Sequence, residues 1–189
     1  EISACLVGSE MCIRDRYCTM QFDPVHFQNK LGQTVLVRSA LEEDAAALLQ
    51  YLRETTAETP FLLREPEEVT MTLEQEKAFI LQTLAAPRSL MLAAFCDGRL
   101  AGTCSFAPAG PFRRYTHRCE IAIALYQDFC GHGIGEKLME LLLEQARAAG
   151  FEQAELEVVS DNKAALTLYQ KLGFVSYGMF PHNMKYADG

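Results

Sequence analysis

Basic residues are in the minority in this sequence: 17 Lys and Arg stand against 25 Asp and Glu, a formal net charge of −8. That balance excludes nucleic acid and anionic membrane surfaces as expected partners. Tryptophan is absent, and the seven cysteines are an odd number without a Cys-x-x-Cys pair or a histidine at metal-ligand spacing. No metal site is therefore expected, and the thiols read as the reduced cysteines of a cytoplasmic protein rather than a disulfide framework. No apolar run reaches membrane-spanning length, and Glu1 is not followed by a basic region with an apolar core, so no secretory signal is read. Two phosphate-loop signatures are missing as well. A dinucleotide loop requires Gly-x-Gly-x-x-Gly, but the residue three after Gly133 is Glu136. A nucleotide-triphosphate loop requires Gly-Lys-Ser/Thr after its spacer, and none is present.

A chain of 189 residues is long enough for one domain with a sizeable core. Residues 1–30 are expected to be a leader outside that domain, which would span 31–189. The stretch Glu1 to Arg16 has neither strand alternation nor a helical stripe, and it resembles translated adapter read-through; Met20 is then a start, with a native flexible leader as the alternative. From Thr34 to Arg38 a short β-branched strand is expected. Ala40 to Glu54 carries Leu41, Ala45, Leu48, Leu49 and Leu52 at helical spacing, with Glu42, Glu43 and Asp44 in its first turn. Thr72 to Ala86 is a second helix, with Thr72 and Gln75 placed for a capping box and Pro87 beyond its end. Leu90–Cys96 and Arg99–Phe106 flank Asp97-Gly98, a hairpin signal.

The next stretch organises the chain. Ile121, Ile123 and Leu125 lie in an apolar strand, Gly131, Gly133 and Gly135 follow at alternate positions, and Ile134, Leu138, Leu141 and Leu142 then recur at helical spacing. Strand, glycine loop and helix bring a backbone close to a ligand beside N–H groups that lack helical partners, which suits a phosphate. Glu152 to Val158 alternates as a half-exposed strand; Asp161-Asn162 caps a last helix through Leu172, closed by Gly173; and Phe174 to Tyr177 starts a further strand. The order is β-α-α-β-β-β-α-β-α-β, a mixed sheet with one parallel crossover pair and helices on both faces.

Cys130-Gly-His-Gly133-Ile-Gly135 resembles the acyl-coenzyme A loop Arg/Gln-x-x-Gly-x-Gly/Ala of the GNAT (GCN5-related N-acetyltransferase) superfamily, with Cys130 departing at the first position. Asn162, Ala165, Leu168-Tyr169 and Gly173-Phe174 are similar to that family's Asn-x-x-Ala-x-x-Leu-Tyr-x-x-x-Gly-Phe pattern. The resemblance covers roughly residues 33–189. It implies an α/β (α+β mixed) fold: a mixed, mostly antiparallel sheet with a splayed parallel strand pair forming the acyl-coenzyme A cleft. It also implies an N-acetyltransferase that uses acetyl-coenzyme A, without a metal, on a primary amine of a small molecule or protein; a homodimer is compatible with it. The alternative is a non-catalytic coenzyme A-binding regulatory or interaction module of the same fold.

By that resemblance, the backbone of Ile123, Ala124 and Leu125 would hold the pantetheine arm and the thioester carbonyl. The amides of Gly131, His132, Gly133, Ile134, Gly135 and Glu136 would hold the pyrophosphate, and Asn162 would contact the pantetheine. Tyr169 would be the general acid: a phenol near pKa about 10 can protonate a thiolate of about 8.5. Its alternative is a core aromatic. Glu120, a carboxylate in an apolar strand, is the candidate base; pairing with Arg118 or Arg114 is the alternative. His117 and His132 are lesser candidates. The acceptor side is expected from Thr55–Pro66 and Pro108–Arg118. Phe174–Tyr186 supplies only one outgoing strand, so the domain is expected to lack its final strand, leaving an open sheet edge.

Overall fold

The computed structural model describes residues 20–186. Its elements are β1 (Val25–Gln28), β2 (Thr34–Ser39), α1 (Ala45–Glu58), α2 (Leu73–Ala85), β3 (Leu90–Cys96), β4 (Arg99–Pro108), β5 (Arg118–Leu125), α3 (Ile134–Ala148), β6 (Gln153–Glu155) and α4 (Lys163–Lys171). One six-stranded sheet has the strands in chain order, β1 to β6. Neighbours are antiparallel except β5 and β6, which are parallel across the α3 crossover.

Local chemistry explains most of these elements. Asp97 (φ 49°) and Gly98 (φ 83°) both take the left-handed conformation, as the twist of a two-residue hairpin between β3 and β4 demands. Thr72 accepts the Gln75 N–H, and Gln75 returns the contact to the Thr72 N–H, so α2 starts at a reciprocal cap. The α3 stripe Ile134, Leu138, Leu142 is wholly buried. Each such side chain contributes about 1.5–3 kcal/mol through removal from water.

Helices cover both faces. On β4, the Thr103 hydroxyl meets Tyr51 of α1 while the neighbouring Cys104 thiol donates to the Leu138 carbonyl of α3. Successive strand residues point to opposite faces, so α1 and α3 lie on opposite sides of the sheet. The core between them is centred on β2 to β4, where Val35, Val37, Leu92, Ala93, Ala94 and Ala101 are fully buried.

Four features differ from the sequence expectation. A domain boundary at residue 31 cuts through the fold, because Val25–Gln28 pairs residue by residue with Val37–Thr34, and Met20, Phe22 and Phe27 pack on the core. Four alternating residues are too short a signal to separate from a leader; the pairing partner makes them a strand. The expectations for residues 1–19 lie outside the described residues. The first helix runs Ala45–Glu58 after a 3-10 turn at Glu42–Asp44, rather than Ala40–Glu54. Strand β6 is only Gln153–Glu155, because it diverges from β5 after the Glu120–Glu155 pair. No strand starts at Phe174: residues 174–186 form none, and Val175, Tyr177, Met179 and Phe180 are exposed. Alternation alone does not make a strand where no ladder partner is within reach.

Candidate functional site

The glycine loop begins as β5 ends. A 3-10 turn at Gln127–Phe129 leads through Cys130 to Gly131 and then to Gly133, the N-cap of α3. Gly133 is glycine for its conformation, with φ 86°. Gly135 is glycine for space: a Cβ there would stand 3.3 Å from Leu125 Cδ1, 3.7 Å from Leu168 Cδ2 and 3.8 Å from Ile123 Cδ1. At that point β5, α3 and α4 converge. The first helical bond, Lys137 N–H to Gly133 O, leaves the amides of Ile134, Gly135 and Glu136 ahead of the ladder. Lys30 braces the loop from the β1–β2 turn: its N–H donates to His132 O at 3.0 Å, and its Cε lies 3.4 Å from the position of a Gly133 Cβ. Lys171 of α4 pairs with Glu136 at 2.6 Å and holds that carboxyl below the usual range.

Beside the loop, β5 has one free edge. Arg118 O and Tyr126 N–H bond to β4, at Ala109 and Ala101, so the even-numbered residues of β5 turn their backbone groups toward β4. The odd-numbered ones face β6, and His117 O takes the N–H groups of Glu152 and Gln153 there. Pairing with β6 stops at Glu120–Glu155, where Arg118 makes a two-oxygen ion pair with Glu155 at 2.6 and 2.7 Å. Past that point Ile123 and Leu125 present N–H and C=O to a gap between diverging strands. Of the three residues expected to hold the arm, the Ala124 amide is the exception, since its backbone faces β4.

Helix α1 fastens the far end of β5. The fully buried Tyr51 donates its hydroxyl to Ala124 O at 2.7 Å, and its ring meets Tyr126 edge-on at 5.2 Å. Tyr126 donates to Glu54 at 2.6 Å, and the Gln127 N–H donates to Glu58 at 2.9 Å. Burial pushes the Tyr51 phenol up to about 12. A bulge where Ala94–Gly102 pairing steps to Phe95–Leu100 leaves Ala101 as the extra residue of β4, next to Gly102. A Cβ on Gly102 would stand 2.5 Å from Ala124 O. Tyr51, Gly102 and Lys30 carried no local signal in the sequence; each matters through a partner more than twenty residues away.

On α4, Asn162 caps the helix by accepting the Ala165 N–H at 3.1 Å. Tyr169 is half-buried, packs on Phe174 at 5.7 Å between ring centres, and its hydroxyl has no hydrogen-bond partner among the described residues. Burial raises its pKa, which keeps the phenol protonated. Glu120 is exposed, because alternation places it opposite buried Cys119 and Ile121. It is thus not the buried carboxylate expected of an apolar strand. Nor does it form the alternative pair, since Arg118 is taken by Glu155 and Glu120 has no ion-pair partner among the described residues. His132 is half-buried, and its Nδ1 has no partner among the described residues. Toward the expected acceptor side, a cavity of about 400 Å³ is lined by residues of the 56–67 segment and by Met184, Lys185 and Tyr186. No cluster of three or more metal-ligating side chains occurs among the described residues.

The sequence model of the acetyltransferase (GNAT) family matches residues 46–174, more than half of the chain. The chain belongs to that family. Among relatives, the L-amino acid N-acyltransferase MnaT of Escherichia coli is 33% identical over 85 residues, 45% of this chain and 49% of that protein. The N-alpha-acetyltransferase RimI of Mycobacterium tuberculosis is 36% identical over 99 residues, 51% of this chain and 58% of that protein. The chain thus spans about half the length of the curated relatives it matches. Among solved structures, a GNAT-family acetyltransferase from Streptococcus pneumoniae superposes with a TM-score of 0.73 at 31% identity, covering 76% of this chain and 86% of that one. The Salmonella typhimurium acetyltransferase yncA with acetyl-CoA has a TM-score of 0.66 at 22% identity, covering 75% and 79%, a likeness of fold. No described helix is long and apolar enough to cross a membrane.

Proposed function

We propose that this protein is an N-acetyltransferase that moves an acetyl group from acetyl-coenzyme A to a primary amine. The observation that carries the reading is the free edge of β5 at Ile123 and Leu125, running directly into a glycine-turned helix N-terminus. An extended amide-bearing arm suits the edge, and a pyrophosphate suits the amides from Gly131 to Glu136. At Gly131 a Cβ would meet nothing within 4 Å, and the missing side chain keeps that approach open. Asn162, whose Oδ1 is committed to the cap, keeps its Nδ2 for the arm.

When bound, acetyl-coenzyme A supplies an activated thioester. The chain's own groups do the rest. The amides of the β5 edge bind the carbonyl oxygen and favour its developing negative charge. Tyr169 holds a proton for the departing thiolate. Glu120, exposed and without an ion-pair partner among the described residues, takes the proton that the attacking amine must lose. The 56–67 segment and its cavity receive the acceptor amine; an L-amino acid N-acyltransferase and an N-alpha-acetyltransferase among the relatives support an amino acid or a protein amino group in that role. A thermal shift with millimolar acetyl-coenzyme A, alongside NAD, tests the binding half, since a ligand of the native state must raise its melting temperature. A shift with NAD alone rejects the reading. Release of free thiol with an amine panel then tests catalysis.

A further inference from the structure

The Ala124 carbonyl is held from two sides. Tyr51, 1% exposed, donates to it at 2.7 Å from the opposite face of the sheet. Thr103 approaches the same phenol oxygen with its side-chain hydroxyl at 3.4 Å and with its main chain. On the other side Gly102 comes so close that a Cβ would lie 2.5 Å from the carbonyl oxygen. A buried phenol needs a partner, but one turned into a strand ladder beside a cofactor edge does more than satisfy itself. In a trans peptide the C=O and the following N–H point in opposite directions. Holding the Ala124 oxygen toward β4 and α1 therefore fixes the Leu125 N–H toward the β5–β6 gap.

We infer that the Tyr51 hydroxyl is a positioning group for the cofactor arm: through the Ala124 carbonyl it presets the Leu125 N–H for the pantetheine portion of acetyl-coenzyme A. The inference rests on the acetyltransferase reading. Tyr51 touches no substrate; it spares the Leu125 peptide the reorientation that binding would otherwise cost.

Tyr51→Phe keeps the buried ring and removes only the hydroxyl. Two ligands separate the roles: acetyl-coenzyme A has both nucleotide and arm, whereas adenosine 3′,5′-bisphosphate has no arm. In calorimetric titrations the variant should bind acetyl-coenzyme A about tenfold more weakly, the scale of one hydrogen bond. Its affinity for the bisphosphate should stay within about twofold of wild type. In the ligand-free protein the ¹⁵N–¹H resonance of Leu125 should move more than those of Ile134 to Glu136. Equal losses for both ligands, or none for either, overturn the inference and return Tyr51 to a packing role. Should Tyr51→Phe fail to fold, Thr103→Val, which drops a hydroxyl from the same bridge, must give a smaller loss confined to acetyl-coenzyme A; no such loss overturns the inference. A wild type that binds neither ligand overturns the acetyltransferase reading and the inference with it. A wild type that binds both, with unaffected variants, overturns the inference alone.

Discussion

Adding one methyl group at Gly102 should loosen the sheet where β4 meets the cofactor edge of β5. The new Cβ would lie 2.5 Å from Ala124 O and 2.8 Å from both Cα and Cγ of Leu125. A comfortable C···O contact begins at about 3.3 Å, so the strands must part by about 0.8 Å. The oxygen cannot retreat toward α1, where Tyr51 already holds it at 2.7 Å. Separation would instead stretch the neighbouring Tyr126 N–H to Ala101 O bond, now 3.0 Å, beyond hydrogen-bonding range. Overpacking costs about 1–3 kcal/mol and the lost bond about 1. Replacing glycine within a regular element returns about 0.5–1 kcal/mol. The net for Gly102→Ala is a loss of about 1–3.5 kcal/mol, a sizeable share of a total stability of about 5–15. Urea denaturation measures it, with Gly178→Ala as control because nothing lies within 4 Å of a Cβ at Gly178. A Gly102→Ala midpoint equal to that of the control would refute the close-approach argument.

Three further outcomes are expected. Glu76 of α2 is 1% exposed, its Oε2 has no partner among the described residues, and burial raises its pKa. Its carboxyl ionises first in the unfolded chain as pH rises past about 4.3, so wild-type stability falls from there until the folded pKa is passed. Glu76→Met should remove that slope and gain about 1–3 kcal/mol near pH 8; a gain independent of pH in urea titrations contradicts the assignment. Tyr169→Phe should lower kcat by about 10²–10⁴ with little change in acetyl-coenzyme A affinity, and unchanged turnover makes Tyr169 a core aromatic. Gly133→Val sets a β-branched residue at φ 86°, and the thermal shift with acetyl-coenzyme A should vanish while the circular dichroism of the fold persists.

The sequence carried whatever is written locally. Asp97-Gly98 announces a hairpin because few other pairs tolerate its two left-handed conformations. Thr72 with Gln75 marks a helix start because both halves of the cap lie within one turn. Gly131, Gly133 and Gly135 pointed to a backbone-lined ligand loop, and the pattern from Asn162 to Phe174 carried the family resemblance.

Tertiary structure decided what depends on a distant partner. Glu120 looked like a buried carboxylate because its neighbours are apolar, but the pleat turns it outward and Glu155 claims Arg118. Val25–Gln28 became a strand because β2 receives it, whereas Leu156 to Val158, equally well patterned, diverges from β5 after the Glu155 pair. Gly102 and Gly98 are equally bare in the sequence; one serves a turn, the other a carbonyl 22 positions away. Tyr51 is one aromatic on a helical stripe until the sheet brings Ala124 to its hydroxyl. Periodicity, caps and turns are short-range properties of the chain, so the sequence by itself determines them. The edge of a sheet, the partner of a charge and the direction of a single peptide are set by elements far apart in sequence, and only their packing decides them.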